Sequence, residues 1–328
     1  MRKLSATEYL ILLNMLMLAV VSVFIYSKLS GMKTERSTVQ EPLPPSKYHF
    51  ALVYPEEKNP YWDQVKKGMT SAIGNQTISF EYLGPETSDM VEQLDLLNRA
   101  IASRVDGIIV QGMNEEAFTP VINQAMKRGI PVITIDSDAP ASERIAYIGS
   151  DNDQAGVMVG EHLAEVMRGR GELAVILGNF HATNQRQRLK GLQKVLAKYP
   201  DMHLRIVQDS QADQFLAASL TTRLLTEYPE LDAIVGLSAW DGPGIGQAVK
   251  RLQKSDEVYV VAFNPLPETR LYVGEGAVDA IVAEDPRTMG EKSFQLMQDV
   301  KQGKQVPSEV YTEVRLWTGP GLNQMEKW

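Results

Sequence analysis

The sequence contains no cysteine in its 328 residues and only four histidines. The lack of cysteine excludes disulfides, thiolate metal sites, a cysteine nucleophile and a lipidated N-terminal cysteine. The histidines are scattered along the chain, with no spacing that would hold a metal ion. The glycine-rich run that begins at Asp241 lacks the lysine and the spacing of a phosphate-binding loop. We therefore expect neither a metal site nor a cofactor.

Positive charge is also in deficit. The chain has 41 Asp and Glu against 33 Lys and Arg, which gives a net charge of −8. Nucleic acid is excluded as a partner, because its phosphates would be repelled. The remaining composition, 44% hydrophobic and 23% charged, is that of a globular protein large enough for two α/β lobes.

Charged residues are absent from residues 9–27, YLILLNMLMLAVVSVFIYS. A helix of that length, at 1.5 Å per residue, spans a bilayer core of roughly 30 Å. A cleaved signal peptide has a shorter apolar region, and only a poor cleavage site follows here. We therefore predict a retained transmembrane anchor at residues 1–30. Positive residues flank the run on both sides, so they do not decide its orientation.

A polar, proline-ending segment follows the apolar run. Residues 31–47 are predicted to form an extracytoplasmic stalk, and the prolines near its end favour an extended and semi-rigid chain.

From Tyr48 onward, short apolar β-type runs alternate with amphipathic helical segments. This alternation predicts βαβ units and parallel sheets. The β-type runs are almost continuously apolar, as expected when both faces of a sheet are covered. The pattern occurs twice, since the similar runs that begin at Asp106 and Asp232 each follow a long helical segment. We predict two similar doubly wound parallel-sheet lobes with a cleft between them.

Acidic and polar residues follow the apolar runs near the middle of this region. Asp136 comes directly after the run Val132–Ile135, and Asp151 and Asn152 follow the next run. Ligands of open parallel sheets bind beyond the carboxyl ends of the strands, so we expect Asp136 to face a ligand. A carboxylate can accept hydrogen bonds from two vicinal hydroxyls; the alternative is a turn or helix-cap aspartate. Asp151 or Asn152 is predicted to cap the following helix.

An amide and two aromatic residues follow the first β-type run. Asn59 can bond hydroxyl groups, and the rings of Tyr61 and Trp62 can stack on the C–H faces of a sugar. The alternative is that Pro60 begins a helix and the two rings pack against their lobe.

These segments together resemble the type I periplasmic sugar-binding proteins, the ribose-binding-like group. The resemblance covers residues 48–317 and implies two lobes between which the chain crosses three times, near Asp151, Glu284 and Glu313. The implied lobes are 48–151 plus 285–313, and 152–284 plus 314–328. The motifs that carry the resemblance, in chain order, are NPYW, VKKGM, VDGIIVQG, GIPVITIDSDAP, YIGSDNDQAG, the arginine pair before Gly191, VVAFNP and AIVAEDPRTMG.

The resemblance also implies further ligand-binding residues. Arg186 is similar to the ligand arginine of the family, whereas Arg188 fits a solvated helix charge. Trp240 stands where the family usually has asparagine, and its ring either stacks on the ligand or fills space. Asn264 stands where the family often has aspartate. Glu284 stands where the family commonly has glutamine, and it contacts either the ligand or the hinge.

The sequence thus predicts a membrane-anchored binding protein for a small sugar or sugar-like polyol, with its soluble part outside the cytoplasm. Lobe closure would be recognised by a partner. That partner is the permease of an ABC importer or a membrane histidine kinase, and the retained helix favours the kinase. No catalytic constellation is present, so we expect no enzyme. A glycoside hydrolase that uses Asp136 and Glu284 is a remote alternative, because two carboxylates can face one cleft.

Overall fold

The computed structural model describes residues 5–31, 47–319 and 321. The chain divides into two compact units, Met1–Ser46 and Lys47–Trp328. Helix α1 (Ala6–Gly31) belongs to the first unit. Most of the predicted stalk and the last residues of the second predicted lobe lie outside the described part. Within that part, no helix meets the length and apolarity needed to cross a membrane, so the predicted transmembrane anchor is not supported by the structure.

The second unit contains two six-stranded sheets, one in each lobe. The strands of lobe 1 are β1 (Tyr48–Val53), β2 (Ile78–Leu83), β3 (Gly107–Val110), β4 (Val132–Ile135), β5 (Ala146–Gly149) and β11 (Glu309–Tyr311). The strands of lobe 2 are β6 (Arg170–Leu177), β7 (Asp201–Asp209), β8 (Ala233–Gly236), β9 (Tyr259–Phe263), β10 (Ala280–Glu284) and β12 (Val314–Thr318).

The sheets have matching strand orders, β11-β5-β4-β3-β1-β2 and β12-β10-β9-β8-β6-β7. All neighbours pair in parallel except β12, which is antiparallel to β10. The predicted α/β fold of two similar parallel-sheet lobes is therefore confirmed.

Helices cover both faces of each sheet. Lobe 1 has α2 (Pro60–Ile73), α3 (Met90–Ala102), α4 (Glu115–Lys127) and α10 (Pro286–Lys301); lobe 2 has α5 (Asn152–Val166), α6 (Thr183–Leu196), α7 (Gln214–Glu227), α8 (Asp241–Arg251) and α9 (Pro267–Gly274). Along β1, Phe50 and Leu52 pack towards α2 and α10, while Ala51 and Val53 pack towards α3 and α4. Successive side chains of a strand point to opposite faces, which explains why the strand is apolar throughout.

One helix pair in each lobe packs with its backbones in contact at glycines. A Cβ atom on Gly156 of α5 would lie 1.9 Å from a carbonyl oxygen of α6, and one on Gly191 of α6 would lie 2.0 Å from a carbonyl oxygen of α5. Gly68 of α2 and Gly290 of α10 make the equivalent contacts in lobe 1, each at 2.0 Å. Only glycine permits such an approach. The pairing fixes how each helix is rotated about its axis, and so which residues of α6 face the cleft.

The chain passes from one sheet to the other after β5, after β10 and between β11 and β12. Asp151 caps α5 at the first passage, where its side chain accepts a hydrogen bond from the Gln154 N–H at 2.9 Å. Of the two predicted caps, the structure therefore uses Asp151. The lobe boundaries 48–151 plus 285–313 and 152–284 plus 314–328 remain a prediction.

Candidate functional site

A cavity of about 100 Å³ lies where the carboxyl ends of the strands of both lobes face each other. A single water molecule requires a cavity of roughly 10–15 Å³, so this cavity has room for a small molecule. Its lining combines aromatic, amide, hydroxyl and charged side chains from both lobes. Lobe 1 contributes Glu56, Asn59, Tyr61, Trp62, Gln111 and Asp136, and lobe 2 contributes Asn184, Gln185, Arg188, Ser238, Trp240, Asn264 and Glu284.

Asp136 directly follows β4 and lies in the cavity wall, 5% exposed. Its φ of 64° places it in the left-handed region, which aspartate tolerates better than most residues. Its carboxylate accepts hydrogen bonds from the Tyr61 hydroxyl at 2.9 Å, the Gln111 amide at 2.6 Å and the Asn184 amide at 3.3 Å. Burial, followed by the nearby charge of Glu284, raises the pKa of Asp136 to about 6. Three of its roughly four acceptor positions are occupied, so a ligand that bonds both oxygens must displace one of these donors.

Asn264 occupies the equivalent position in lobe 2. It follows β9, has a φ of 62°, and donates its backbone N–H to Val282 at 2.8 Å. Asp136 makes the same backbone bond to the strand beside it. The Asn264 amide donates to Glu284 at 2.8 Å. The two lobes therefore present a polar side chain to the cavity from the same strand end, with the same unusual backbone conformation.

Glu284 and Arg188 form a buried ion pair at the base of the cavity. The guanidinium Nη2 lies 2.7 Å from the Glu284 Oε1, and the side chains are 3% and 1% exposed. Glu284 also accepts from the Ser150 hydroxyl at 2.7 Å, and Arg188 donates to Asn152 at 2.7 Å. Ser150 and Asn152 flank the first passage between the lobes. Glu284 therefore contacts a hinge segment and lines the cavity, and its contact with a ligand stays a prediction.

Of the arginine pair, Arg188 lies in the cavity wall and the predicted Arg186 does not. Arg186 is exposed and absent from the cavity lining, whereas Arg188 is 2% exposed and lies in it. Residues two apart on a helix point in widely different directions. The packing of α6 on α5 turns Arg188 inward, where its guanidinium lies 4.3 Å from the centroid of the Phe263 ring. The solvated helix charge is thus Arg186.

Asn59, Tyr61 and Trp62 all line the cavity, and they also stabilise their lobe. Asn59 caps α2 by accepting from the Tyr61 N–H at 3.0 Å, with proline at the first position of the helix. The Tyr61 and Trp62 rings pack edge to face at 5.5 Å, and Trp62 is 2% exposed. The packing alternative is therefore observed, and stacking of the rings on a sugar stays a prediction.

Trp240 makes a contact between the lobes. Its indole N–H donates to the Glu56 carboxylate at 2.8 Å, and the Asn59 amide donates to the same oxygen at 3.2 Å. Glu56 lies in the loop after β1 of lobe 1, whereas Trp240 precedes α8 of lobe 2. The lobes also meet where the Thr183 N–H donates to the Met113 carbonyl at 3.0 Å. The described cleft is therefore closed.

Two buried polar atoms in the lining have no hydrogen-bond partner among the described residues. They are the Gln111 Oε1 and the Ser238 Oγ. Buried polar groups are nearly always bonded in folded proteins, so unpaired atoms on residues that line a cavity favour a polar ligand beside them. Sequence reasoning missed both residues. Gln111 follows β3 directly, so the rule that identified Asp136 applies to it equally.

The electrostatics of the site suit a polar organic ligand. Asp136 and Glu284 are the fully buried carboxylates of the lining, and Arg188 supplies one positive charge between the lobes. No group of three or more His, Cys, Asp or Glu side chains in the described part could hold a metal ion. The lining combines hydrogen-bond donors and acceptors with the aromatic side chains Tyr61, Trp62 and Trp240.

Two parallel-sheet lobes that close over a polar cavity define a bilobal ligand-binding protein. Residues 50–305 match the periplasmic binding protein domain, and the chain belongs to that family. The D-allose-binding periplasmic protein of Escherichia coli K12 is 25% identical over 277 residues, which cover 81% of this chain and 89% of that protein. The resemblance to the type I periplasmic sugar-binding proteins is thereby confirmed.

Solved structures give the same result. GanP, a glucose-galactose binding protein from Geobacillus stearothermophilus, is 36% identical with a TM-score of 0.81, covering 83% of this chain and 97% of that chain. A chain of the XylFII-LytSN complex is 30% identical with a TM-score of 0.78, covering 84% of this chain and 98% of that chain.

Proposed function

We propose that this chain binds a single monosaccharide or a similar polyol in the interlobe cleft. The observation that carries this proposal is the buried polar cavity with the unpaired Gln111 Oε1 and Ser238 Oγ in its wall. Sugar hydroxyls both donate and accept, so they would pair such atoms. The aromatic surface of Trp62 would cover the C–H face of the ring. The relatives named for allose, ribose, glucose-galactose and arabinose support a monosaccharide without choosing between hexose and pentose.

A thermal-shift screen over glucose, galactose, allose and ribose tests this proposal. A sugar present at 100 times its dissociation constant stabilises the folded state by roughly 2.7 kcal/mol. We expect at least one of these sugars to raise the melting temperature at millimolar concentration, with the same buffer without sugar as the control. A flat response to every sugar and polyol tested would contradict the proposal.

We propose that the chain acts by binding and closure and carries out no reaction on the sugar. The Asp136 and Glu284 carboxylates are each held by several neutral or cationic donors. These bonds suit carboxylates that position a ligand, and the related proteins are binding proteins. The glycoside hydrolase alternative therefore has no observation in its favour beyond the shared cleft.

Delivery to an ABC permease is the partner role that the binding-protein relatives favour. Sensing is the second candidate, and the XylFII-LytSN complex supports it, because a protein of this fold there assembles with a second protein. A membrane histidine kinase as that second protein is our prediction from the sequence.

Membrane attachment through residues 1–30 bears on this choice and stays a proposal based on sequence. The uncharged run at residues 9–27 supports it, as do the exposed apolar side chains of α1, such as Leu16 and Phe24. We expect the full chain to stay in the membrane fraction when membranes isolated from native cells are washed with carbonate. Sugar-dependent cross-linking in those membranes should then recover either a permease or a kinase. Recovery of the chain in the soluble fraction would contradict the attachment.

A further inference from the structure

The contact between Glu56 and Trp240 joins the two lobes at the solvent edge of the cavity. Both side chains are partly exposed, whereas Asp136, Arg188 and Glu284 are at most 5% exposed. The cavity therefore deepens from this contact towards the hinge. Its outer end is closed by a hydrogen bond of 2.8 Å between side chains that are 184 residues apart in the chain.

Each partner is held in place by its own lobe. Glu56 receives a second hydrogen bond from Asn59, which is itself fixed as the cap of α2. Trp240 directly precedes Asp241, which is fully buried and accepts hydrogen bonds from the Ser210 hydroxyl and the Ser238 N–H. The two groups therefore meet only when the lobes are closed, since an opening of a few ångströms would exceed hydrogen-bond distance.

We propose that the Trp240 indole and the Glu56 carboxylate form a clasp that holds the lobes closed, and that this clasp raises the affinity for every sugar that the cavity admits. The indole has a single N–H group, and Glu56 accepts it. The N–H group therefore cannot also donate to the ligand, and its part in binding is to stabilise the closed state. The effect on affinity rests on the proposed sugar-binding function, whereas the effect on closure does not.

The expected change in affinity follows from the fraction of protein that is closed before ligand binds. The apparent dissociation constant is the intrinsic constant divided by the fraction of protein in the binding-competent state. A partly exposed hydrogen bond to a charged acceptor contributes enough to change that fraction about fivefold. Because the indole N–H is bonded to Glu56 rather than to the ligand, the loss of this one hydrogen bond should weaken all sugars by the same factor. A direct contact would instead affect each sugar differently.

Trp240→Phe removes the N–H group and keeps an aromatic ring in the wall. We expect it to weaken binding about fivefold for each sugar that the wild type binds, with faster release measured by stopped flow. In a Glu56→Leu background the same substitution should have little further effect, because the acceptor is already absent. Trp317→Phe makes the same chemical change on β12 outside the cavity and is the control. Sugar-dependent factors, or equal effects of Trp240→Phe with and without Glu56, would overturn the proposal.

Closure can be measured without any ligand. The chain lacks cysteine, so Asp95→Cys on α3 and Ser219→Cys on α7 allow two spin labels to be attached at exposed positions, one in each lobe. Pulsed electron resonance should show a shorter label separation in the ligand-free parent than in the Trp240→Phe form. Equal distance distributions would overturn the clasp even if sugars bind. If the label separation differs between the two forms but neither form binds a sugar, the clasp is supported and the proposed sugar-binding function is contradicted.

Discussion

Replacing Arg188 with methionine is expected to lower the free energy of unfolding by about 3–5 kcal/mol. The ion pair with Glu284 is almost completely buried, with side-chain exposures of 3% and 1%. Removing the cation leaves the Glu284 carboxylate charged in an environment of low polarity. The substitution also removes the hydrogen bonds to Asn152 and to the Leu237 carbonyl. Urea unfolding of the ligand-free protein at pH 7, followed by circular dichroism, measures the change.

Two further variants separate the ion pair from general disruption. A buried pair can often be replaced by apolar residues without loss, so the double variant Arg188→Met with Glu284→Met should recover most of the stability. Lys304→Met breaks the exposed pair with Asp299, whose side chains are 57% and 39% exposed, and should cost less than about 1 kcal/mol. A double variant less stable than Arg188→Met, or a single loss below about 1 kcal/mol, would refute the argument.

Strand-end position made part of this site predictable from sequence. Asp136 follows an apolar run, and the ends of parallel strands gather at one edge of a sheet. Asn264 and Glu284, which the family resemblance implied, also lie at strand ends. That rule needs no knowledge of how the lobes are arranged. It would also have identified Gln111, which follows β3 in the same manner.

Helix rotation explains the error at the arginine pair. Arg188, Gly191, Leu192 and Val195 follow the spacing i, i+3, i+4 and i+7, and all four are buried. This spacing is the sign of a buried helix face, and it was present in the sequence. Because Arg188 is charged, it was not counted as part of this buried face. An arginine is buried only where a partner for its charge is buried beside it. Glu284, its partner, lies 96 residues further along the chain.

The contact between Glu56 and Trp240 could not be predicted from the sequence. The two residues belong to different lobes, and their meeting depends on how the lobes are oriented when closed. Periodicity and capping rules describe single elements, so they carry no information about such a contact. The same limit applies to the shape of the cavity, whereas the cap at Asn59 follows from an asparagine placed before a proline at a helix start.

Asp136→Asn is expected to weaken sugar binding by about 1.5–3 kcal/mol, or roughly ten- to more than a hundredfold. The ionised carboxylate accepts from Tyr61, Gln111 and Asn184. Asparagine has one acceptor oxygen and an NH₂ group. Its NH₂ group would therefore point at one or more of the groups that donate to Asp136. The site would lose a charge-assisted acceptor for the ligand and the alignment of its own amides.

Calorimetry on the wild type and on Asp136→Asn, with a sugar and its deoxy analogue, tests the role of the carboxylate. The loss should be large for the parent sugar and small for the analogue that lacks the bonded hydroxyl. Thermal melting of the ligand-free variant serves as the control for folding. If affinity for the parent sugar stayed within twofold, Asp136 would be a structural turn residue rather than a binding residue.

The pH dependence of binding gives an independent test of the same group. Burial raises the pKa of Asp136 from 3.8 to about 6 in the ligand-free protein. Hydroxyl donors favour the ionised carboxylate, so a bound sugar should lower this pKa and release a proton near pH 6. Wild-type affinity is therefore expected to rise between about pH 5 and pH 7 and to level off above that range. Asp136→Asn has no group to titrate there, so its affinity should vary much less over the same interval. A wild-type affinity that is constant across this range would show that ionised Asp136 is not the acceptor for the ligand.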